Sequence, residues 1–467
     1  MGLLDKSAIE QSKLLEAKAI SAVELMQETL DHIDDVNPEV NAIVALAERD
    51  DLMAQAAQAD QVPRKGWMHG LPLAVKDLAN AKGFLTTMGS PIFETQMAQK
   101  DDLMVQRMRD AGAIIIGKTN TPEFGLGSHT FNPVYGATGN AYDRTKSAGG
   151  SSGGAAVALA KRMVSIADGS DMMGSLRNPA GWNNVYGFRP TWGLVPSEPV
   201  GDSFLHQLAT NGPMARCPFD LAALLSTQSG KDQRQPHGLE GHDFLAEMTG
   251  SIKGKRFAWL GDWSGHLPME DGIIDESLAA IEQMRKLGAD VDDLAAPFSG
   301  DQLWESWTTL RSWAVAGSAG ALYANPGTKD LLKPAAIWEI ERGLAMSALD
   351  VHRASVTRSQ WFAKAADLFD TYDALILPSA QLWPFPVDWI HPKNIAGVEM
   401  DTYHRWMQVV VPAGLIGLPV VNIPAGFGQN GLPLGLQVIG RRSSDAALLS
   451  IAQDWHSATD WPNARPA

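Results

Sequence analysis

Short apolar runs that alternate with helical segments constrain the fold of this chain more than any other feature of its sequence. Each run is bounded by polar or glycine-rich sequence, which is typical of buried strands. The predicted strands are Leu71–Val75, Ile114–Ile116, Val164–Ile166, Phe257–Leu260, Ala374–Leu377, Val420–Ile423 and Leu434–Ile439. Between the first two, Asp101–Ala111 can place its apolar side chains on one helical face, and Gly112 is expected to end that helix. The alternation favours an α/β sheet.

The N-terminal part of the chain, about residues 1–60, is predicted to form a helical layer. Ser21 to Glu24 has the pattern of a capping box, and Asn37-Pro38 is expected to end the helix that follows. The polar stretch 228–242 is the best candidate for an exposed connection or partial boundary. A length of 467 residues suggests about three domains of roughly 150 residues each, although large α/β enzymes often exceed that size.

Charge and composition exclude several classes of function. The formal net charge of -15 repels phosphate backbones and anionic membrane surfaces, so neither nucleic acid nor a membrane is an expected partner. The single cysteine, Cys217, cannot form an internal disulfide, and no Cys/His cluster has the spacing of a zinc site. The N-terminus lacks the apolar run of a signal peptide, so we expect a cytoplasmic protein. Prolines interrupt the apolar stretch Val409–Phe427, which is therefore expected to be core.

Three motifs contain residues that can carry out chemistry. They are Ala74-Val75-Lys76-Asp77, Gly149-Gly150-Ser151-Ser152-Gly153-Gly154 and Gly169-Ser170-Asp171-Met172-Met173-Gly174-Ser175-Leu176-Arg177. Ser151 lies 75 residues after Lys76, and Ser175 lies 24 residues after Ser151. Together the motifs and their spacing resemble the amidase signature family. Further matching segments are Gly117–Asn120, Glu123-Phe124, Gly187–Thr191, Gly417–Pro419, Gly431–Pro433 and Gly435–Gly440.

The resemblance covers nearly the whole chain and implies its fold and its catalytic groups. It implies a single large α/β domain over residues 1–467, with a mixed central β-sheet between helical layers. It also implies that Ser175 is the nucleophile, that Lys76 is the base, and that Ser151 relays the proton between them. Ser151 would be joined to Gly150 by a cis peptide bond, and Ser152 would support the relay by hydrogen bonding.

This chemistry makes physical demands that the named residues can meet. Amide hydrolysis needs a nucleophile that loses its proton, donors for the oxyanion and a proton for the leaving nitrogen. A lysine acts as a base at neutral pH only if its pKa falls, which burial accomplishes by penalising the ammonium form. Lys76 follows an apolar run, so its side chain is expected to start inside the core. No cofactor or metal is needed, because the side chains and backbone donors complete the reaction.

The turn before Ser175 is the predicted oxyanion hole. The backbone N–H groups of Met172, Met173 and Gly174 could point together at a developing oxyanion. The family more often reads Asp-x-Gly-Gly-Ser here, so Met173 stands where glycine is usual and is expected to restrict φ and add bulk near the acyl group. The resemblance implies that Asp171 and Arg177 fix this loop rather than react. The chain also departs from the family pattern at Asn183 and Gly414.

Each motif also has a simpler interpretation. Lys76 could be a buried structural lysine that pairs with Asp77, and Asp171 with Arg177 could be a structural ion pair. The Gly-Ser run could be a flexible loop or an anion site at the start of a helix. It also matches the G-x-S-x-G nucleophile elbow of α/β-hydrolases, but the polar residues 137–147 before it do not read as the strand that an elbow requires.

The favoured function is hydrolysis of a small or medium organic amide, through an acyl-enzyme on serine, to a carboxylic acid and an amine or ammonia. Two alternatives stay open: the glutaminase subunit of an aminoacyl-tRNA amidotransferase complex, and a non-catalytic binding protein on an amidase scaffold. Substrate contacts are predicted in Leu303–Tyr323 and Tyr403–Trp406. The candidate aromatic walls are Trp182, Trp192, Trp304, Trp307, Trp313 and Trp406. The expected partner is a small-molecule amide, and a homodimer is an open option.

Overall fold

The computed structural model describes residues 2–466, so Met1 and Ala467, the end points of the predicted domain, lie outside the described residues. The strands are β1 (Ile43–Val44), β2 (Pro72–Lys76), β3 (Ile114–Thr119), β4 (Phe131–Asn132), β5 (Gly136–Ala137), β6 (Ile166–Asp171), β7 (Tyr186–Arg189), β8 (Thr210–Ala215), β9 (Arg256–Trp259), β10 (Asp290–Asp293), β11 (Ala374–Pro378), β12 (Asn394–Ile395), β13 (Val398–Glu399), β14 (Val420–Phe427) and β15 (Pro433–Ile439). The α-helices are α1 (Ala8–Glu16), α2 (Ala22–Val40), α3 (Arg49–Gln61), α4 (Leu103–Asp110), α5 (Gly153–Ala160), α6 (Asn178–Trp182), α7 (Pro218–Gln228), α8 (Ile273–Lys286), α9 (Gly300–Ala324), α10 (Pro326–Lys329), α11 (Pro334–Leu344), α12 (Ala348–Leu368), α13 (Val411–Leu415) and α14 (Asp445–Thr459). Short 3-10 helices span Leu3–Asp5, Pro91–Phe93, Glu123–Gly125, Arg405–Val410 and Trp461–Asn463.

A mixed eight-stranded sheet forms the centre of the fold. Its strand order is β10-β9-β11-β15-β14-β7-β8-β6. The pairs from β11 through to β6 are antiparallel, whereas β9 pairs in parallel with both β10 and β11. A second sheet has the order β1-β3-β2, in which β2 and β3 are parallel. The two sheets meet where the backbone N–H of Lys76 donates to Asp168 Oδ1 at 3.1 Å, so the end of β2 lies beside the middle of β6. The predicted mixed α/β sheet is confirmed.

Helices cover both faces of the central sheet. On β11, Leu375 and Leu377 belong to one core cluster together with Trp307 of α9, while Ile376 belongs to another together with Leu448 of α14. Side chains of a strand alternate between the two faces of a sheet, so both faces of β11 are packed against apolar side chains. This explains why the strands read as continuous apolar runs rather than as alternating sequence.

The predicted strands all occur, with one shift in position. The run predicted as Val164–Ile166 gives β6, which starts at Ile166 and continues through polar residues to Asp171. The prediction stopped early because Asp168 and Ser170 do not look like strand interior. Asp168 is nevertheless 1% exposed, and its carboxylate is held by the backbone N–H of Lys76.

The N-terminal helical layer is present as α1, α2 and α3. The capping box of α2 is formed, with Ser21 Oγ accepting from Glu24 N at 3.0 Å and Glu24 Oε2 accepting from Ser21 N at 2.8 Å. The predicted stop at Asn37-Pro38 is wrong, because α2 continues to Val40. Pro38 and Asp34 are exposed, so the carbonyl that loses its N–H partner can bond to water instead.

The stretch 228–242 is a largely exposed connection without helix or strand beyond the last residue of α7. It does not separate two sheets, because β8 before it and β9 after it belong to the same eight-stranded sheet. The segment Val409–Phe427 is buried, except for the half-buried Phe427, and contributes α13 and β14 to the core. Within residues 2–466, no helix is both long and apolar enough to cross a membrane.

Candidate active site

The amine of Lys76 lies at the end of β2 among hydroxyl groups. The residue is 1% exposed, and its Nζ is 2.8 Å from the Oγ atoms of Ser151 and Ser152. Its other contacts are the Oγ of Ser170 at 3.1 Å and the carbonyl oxygen of Ser170 at 3.3 Å. Burial lowers the pKa of Lys76 to about 7, against the opposing attraction of Asp168 and Asp171. The amine is therefore available without its extra proton near neutral pH.

The interpretation of Lys76 as the structural partner of Asp77 is wrong. The cation beside Asp77 is Lys118 of β3, whose Nζ lies 3.7 Å from Asp77 Oδ1 with both side chains buried. Asp77 also accepts hydrogen bonds from the backbone and hydroxyl of Thr87, at 3.1 and 2.5 Å. Consecutive residues of a strand point to opposite sides, which places Lys76 and Asp77 in different environments.

The Gly-Ser run is a buried, hydrogen-bonded loop that leads into α5. The peptide bond between Gly150 and Ser151 is cis, as the resemblance implies. The carbonyl of Gly150 accepts from Ser128 Oγ at 2.9 Å, and the carbonyl of Gly149 accepts from Thr130 Oγ1 at 2.7 Å. A Cβ atom at Gly149 would meet the side chain of Asn178 at 2.5 Å, and its φ is +74°, so only glycine fits there. The flexible-loop and elbow interpretations are wrong, because the loop is packed and no strand precedes it within residues 138–148.

Asp171 holds the turn that carries Ser175. Its carboxylate accepts from the backbone N–H groups of Gly174 at 2.9 Å and Leu176 at 3.1 Å. It also binds Arg177 through Nε and Nη2, both at 2.9 Å. Burial would raise the pKa of Asp171, but the charges of Arg177 and Arg189 hold it well below its usual range. The pair is both a buried ion pair and a support for the loop, so the two interpretations describe the same contacts.

The predicted oxyanion hole needs a correction at Gly174. Its N–H donates to Asp171 Oδ1 and is therefore not free for a substrate oxygen. The N–H groups of Met172 and Met173 donate to no acceptor among residues 2–466. Gly174 serves the turn in another way, since its φ is +77° and a Cβ atom would lie 2.8 Å from the side chain of Val410.

The predicted effect of Met173 on the site is also wrong. Its side chain is 3% exposed and belongs to a core cluster that includes Trp182 and Val410, so it points away from the nucleophile's cavity. Its φ is not positive, so the backbone needs no glycine at this position. The side chain of Met172 lines the cavity instead. The sequence analysis placed this bulk at Met173, whereas the structure places it at the preceding residue, Met172.

Ser151 and Ser175 line one cavity of about 320 Å³, together with Ser170 and Met172. The two serines are 3% and 6% exposed. Hydrogen bonds connect Lys76 to Ser151, whereas no hydrogen bond joins Ser151 to Ser175 in this structure. Catalytic hydrogen bonds are often long without substrate and shorten in the Michaelis complex. The structure thus brings the three predicted catalytic residues to one site, with one of the two predicted links formed.

The far wall of the cavity comes from α9 and α11. Arg311, Val315 and Leu322 of α9 line it, which agrees with the predicted contact segment Leu303–Tyr323. The segment Tyr403–Trp406 does not line it, although Tyr403 Oη accepts from Arg311 Nη2 at 2.9 Å. None of the candidate tryptophans lines this cavity. Trp192 lines a different surface cavity, Trp313 is half-buried, and four are buried in the core: Trp182, Trp304, Trp307 and Trp406.

The two remaining departures from the family serve packing. Asn183 Nδ2 donates to the carbonyl oxygens of Ala148 and Pro179, both at 2.8 Å, and so ties α6 to the Gly-Ser loop. A Cβ atom at Gly414 would lie 3.3 Å from Arg177 Nη2, so a larger side chain here would press on the support of Asp171.

The chain is similar to known amidases in sequence and in overall structure. The family model described as Amidase matches residues 24–449. An acylamidase of Rhodococcus erythropolis is 30% identical over 481 residues, covering 99% of this chain and 97% of the relative. A glutamyl-tRNA(Gln) amidotransferase subunit from Enterococcus faecalis (strain ATCC 700802 / V583) is also 30% identical, covering 99% and 98%. The crystal structure of a bacterial aryl acylamidase of the amidase signature enzymes superimposes with a TM-score of 0.91 at 28% identity, covering 99% of each chain.

Proposed function

The chain belongs to the amidase signature family, whose enzymes hydrolyse carbon–nitrogen amide bonds, and from this premise we propose that it is a stand-alone acylamidase with Ser175 as nucleophile. One observation carries the proposal. The buried amine of Lys76, with a pKa of about 7, lies 2.8 Å from the hydroxyl of Ser151, which lines the same cavity as Ser175. A base, a relay and a nucleophile are thus available at one buried site.

In the first half of the reaction, the proton of Ser175 passes to Ser151 while the proton of Ser151 passes to the neutral amine of Lys76. The Oγ of Ser175 attacks the carbonyl carbon of the amide, and the carbonyl oxygen becomes an oxyanion. The backbone N–H groups of Met172, Met173 and Ser175 have no acceptor among residues 2–466 and are available to stabilise this charge.

In the second half, the ammonium of Lys76 returns its proton through Ser151 to the leaving nitrogen, and the carbon–nitrogen bond breaks. The amine departs and leaves the acyl group as an ester on Ser175. Water then attacks this ester and gives its proton to Lys76 by the same route. The bond to Ser175 Oγ then breaks, the ammonium of Lys76 returns this proton through Ser151 to Ser175 Oγ, and the carboxylic acid leaves.

The volume and the lining of the cavity favour a substrate with a largely apolar acyl group of medium size. Its volume of about 320 Å³ lies at the lower end of small-molecule pockets, which span roughly 300 to 1,000 Å³. Its apolar lining consists mainly of Leu78, Met88, Phe93, Phe124, Leu126, Val315 and Leu322. The ammonium of free glutamine would lose water in such surroundings without an acidic partner, because no Asp or Glu in the described part of the chain lines the cavity, so an acylamidase fits better than a glutaminase subunit.

The proposal is tested with the purified chain and a series of acyl 4-nitroanilides of four to eight carbons, with free glutamine as the comparison. We expect hydrolysis of the anilides to depend on Ser175, with Ser175→Ala losing at least about 10³-fold in kcat/KM. A fluorophosphonate should add once to the wild type and not to Ser175→Ala, as read by intact mass. Glutamine hydrolysis that appears only with partner subunits would favour the amidotransferase alternative. Failure to label the wild type would favour a non-catalytic binding protein.

A further inference from the structure

Arg311 places a charged group in the wall of this mostly apolar cavity. It lies on α9, and its side chain is 3% exposed. Its Nε donates to Glu339 Oε1 at 2.7 Å, and its Nη2 donates to Tyr403 Oη at 2.9 Å. Its guanidinium carbon also lies 5.1 Å from the centre of the Trp307 ring. These contacts hold the guanidinium in one orientation against the cavity.

The charge of Arg311 is already compensated by Glu339. Glu339 is fully buried on α11, and its two carboxylate oxygens also accept hydrogen bonds from the hydroxyls of Tyr403, at 2.7 Å, and Ser312. Arg311 and Glu339 together therefore carry no net charge, and both carboxylate oxygens of Glu339 already accept hydrogen bonds. Of this pair, Arg311 lines the cavity and Glu339 does not.

One nitrogen of Arg311 has only a weak partner. Among residues 2–466, Nη1 donates only to the thioether sulfur of Met172, at 3.1 Å. Sulfur is a poor acceptor, and a guanidinium has five N–H donors to satisfy. A buried donor in apolar surroundings costs free energy until an acceptor reaches it. A bound substrate is the group that can bring this acceptor, because Met172 and Arg311 both line the cavity of Ser175.

We infer that Arg311 binds a neutral hydrogen-bond acceptor, a carbonyl or ether oxygen, in the acyl part of the substrate; the inference rests on the proposed function. A carboxylate is disfavoured because it would lose water beside the charge of Glu339. We assign this acceptor to the acyl part because the amine leaves before water attacks, whereas the acyl group stays on Ser175, in the cavity that Arg311 lines. Arg311 is thus a specificity-determining residue that positions the substrate rather than a group that breaks the bond.

The test compares the 4-nitroanilide of hexanoic acid with isomers in which the CH₂ at position 3, 4 or 5 is replaced by an ether oxygen. We expect the wild type to prefer one ether isomer over hexanoyl in kcat/KM. In Arg311→Met/Glu339→Gln, which removes both charges together, that preference should fall by about tenfold or more, because a charged donor is lost. Using the ratio within each enzyme removes general effects on catalysis.

Three further variants control this experiment. Glu339→Gln keeps the donors but removes the compensating charge, so it should keep the ether preference and gain about tenfold for the mono-4-nitroanilide of adipic acid relative to hexanoyl. Tyr403→Phe removes the acceptor of Arg311 Nη2 and should lower the ether preference in part. This variant is used in place of the double variant if the double variant does not fold. Arg342→Met removes a half-buried arginine of α11 that does not line the cavity, and should keep the wild-type preference.

The outcomes separate this inference from the proposed function. If the leaving group is changed to aniline or 4-nitrophenol, the effect of Arg311 should stay with the acyl group. A wild type without ether preference, an unchanged preference in the double variant, or an effect that follows the amine would overturn the inference while amide hydrolysis stands. If no amide is hydrolysed in a manner that depends on Ser175, the proposed function fails, and the inference fails with it.

Discussion

Lys76 and Lys118 lie on the neighbouring strands β2 and β3, and both are buried with lowered pKa values, yet their partners differ. Lys118 Nζ donates to the carbonyl of Ala79 at 2.5 Å and lies 3.7 Å from the carboxylate of Asp77. Lys76 Nζ is surrounded by hydroxyls, including that of Ser151 at 2.8 Å. A carboxylate favours the ammonium form, whereas a hydroxyl can also donate a proton to a neutral amine. Burial alone does not make a lysine a base, because its partners decide which form is useful.

The largest effect that this comparison predicts is the loss of activity in Lys76→Met. We expect kcat/KM for an acyl 4-nitroanilide to fall by about 10³ to 10⁴-fold, because the proton acceptor is removed. The free energy of unfolding should not fall, since methionine fills the site without burying an ionisable group. Rates and urea unfolding of the purified variant measure both. Hydrolysis near the wild-type rate would end the assignment of Lys76 as the base.

Lys118→Met is expected to act on stability instead. Burial already raises the pKa of Asp77 against the attraction of Lys118, so loss of that cation leaves a poorly compensated buried carboxyl. We expect the free energy of unfolding in urea to fall by about 3 kcal/mol. Asp77→Asn/Lys118→Met should recover part of this loss, because neither charge is then buried. Strictly additive losses in the double variant would show that the two side chains do not act as a pair.

The Lys76 side of this contrast could be predicted in part from the sequence, because Lys76 and Ser151 lie in short local motifs, whereas nothing in the sequence indicated the role of Lys118 beside Asp77. Lys76 closes an apolar strand, so its side chain was expected to start inside the core, and Ser151 lies in a glycine-rich run that was expected at the start of a helix. The alternation of apolar runs and helices likewise predicted the mixed α/β sheet. These features depend on neighbours in sequence, which a single sequence displays directly.

The opposite wall could not be predicted in the same way, because its contacts join residues that are far apart in sequence. Arg311 bonds to Tyr403, 92 residues away, and to Met172, 139 residues away. Helical periodicity indicates that α9 has a buried face but not which helix or turn meets it. Asp168 was missed for a related reason, since its buried carboxylate is explained only by the backbone of Lys76, 92 residues earlier.

Asp168→Asn tests the role of Lys76 through the pH dependence of kcat/KM. The ionised carboxylate favours the ammonium form of Lys76, and an asparagine oxygen can still accept from the backbone N–H of Lys76. In the wild type, kcat/KM should rise with pH and level off above about pH 7, where the Lys76 amine is neutral. Without the charge of Asp168 the pKa of Lys76 falls further, so this rise should move to lower pH.

The size of that shift is limited by Asp168 itself. Burial raises its pKa to about 6, against the attraction of Lys118 and Lys76, so in the wild type it loses most of its charge below that pH. We therefore expect a shift of roughly half to one pH unit, measured as kcat/KM between about pH 5 and 9. A rise that stays in place, or moves to higher pH, would contradict the predicted influence of Asp168 on the base.

The smallest expected effects come from removing one hydroxyl group beside each of the two lysines. Ser170 Oγ lies 3.1 Å from Lys76 Nζ, and Thr86 Oγ1 lies 3.2 Å from Lys118 Nζ, so the two contacts are matched in length. Ser170→Ala should lower kcat/KM about fivefold, because a hydrogen bond worth about 1 kcal/mol no longer positions the amine. Thr86→Val should lower the free energy of unfolding by a similar amount with kcat/KM kept. If both variants changed only stability, the hydroxyl of Ser170 would have the same structural role as that of Thr86, and the contrast between the two lysines would rest on Ser151 and Ser152.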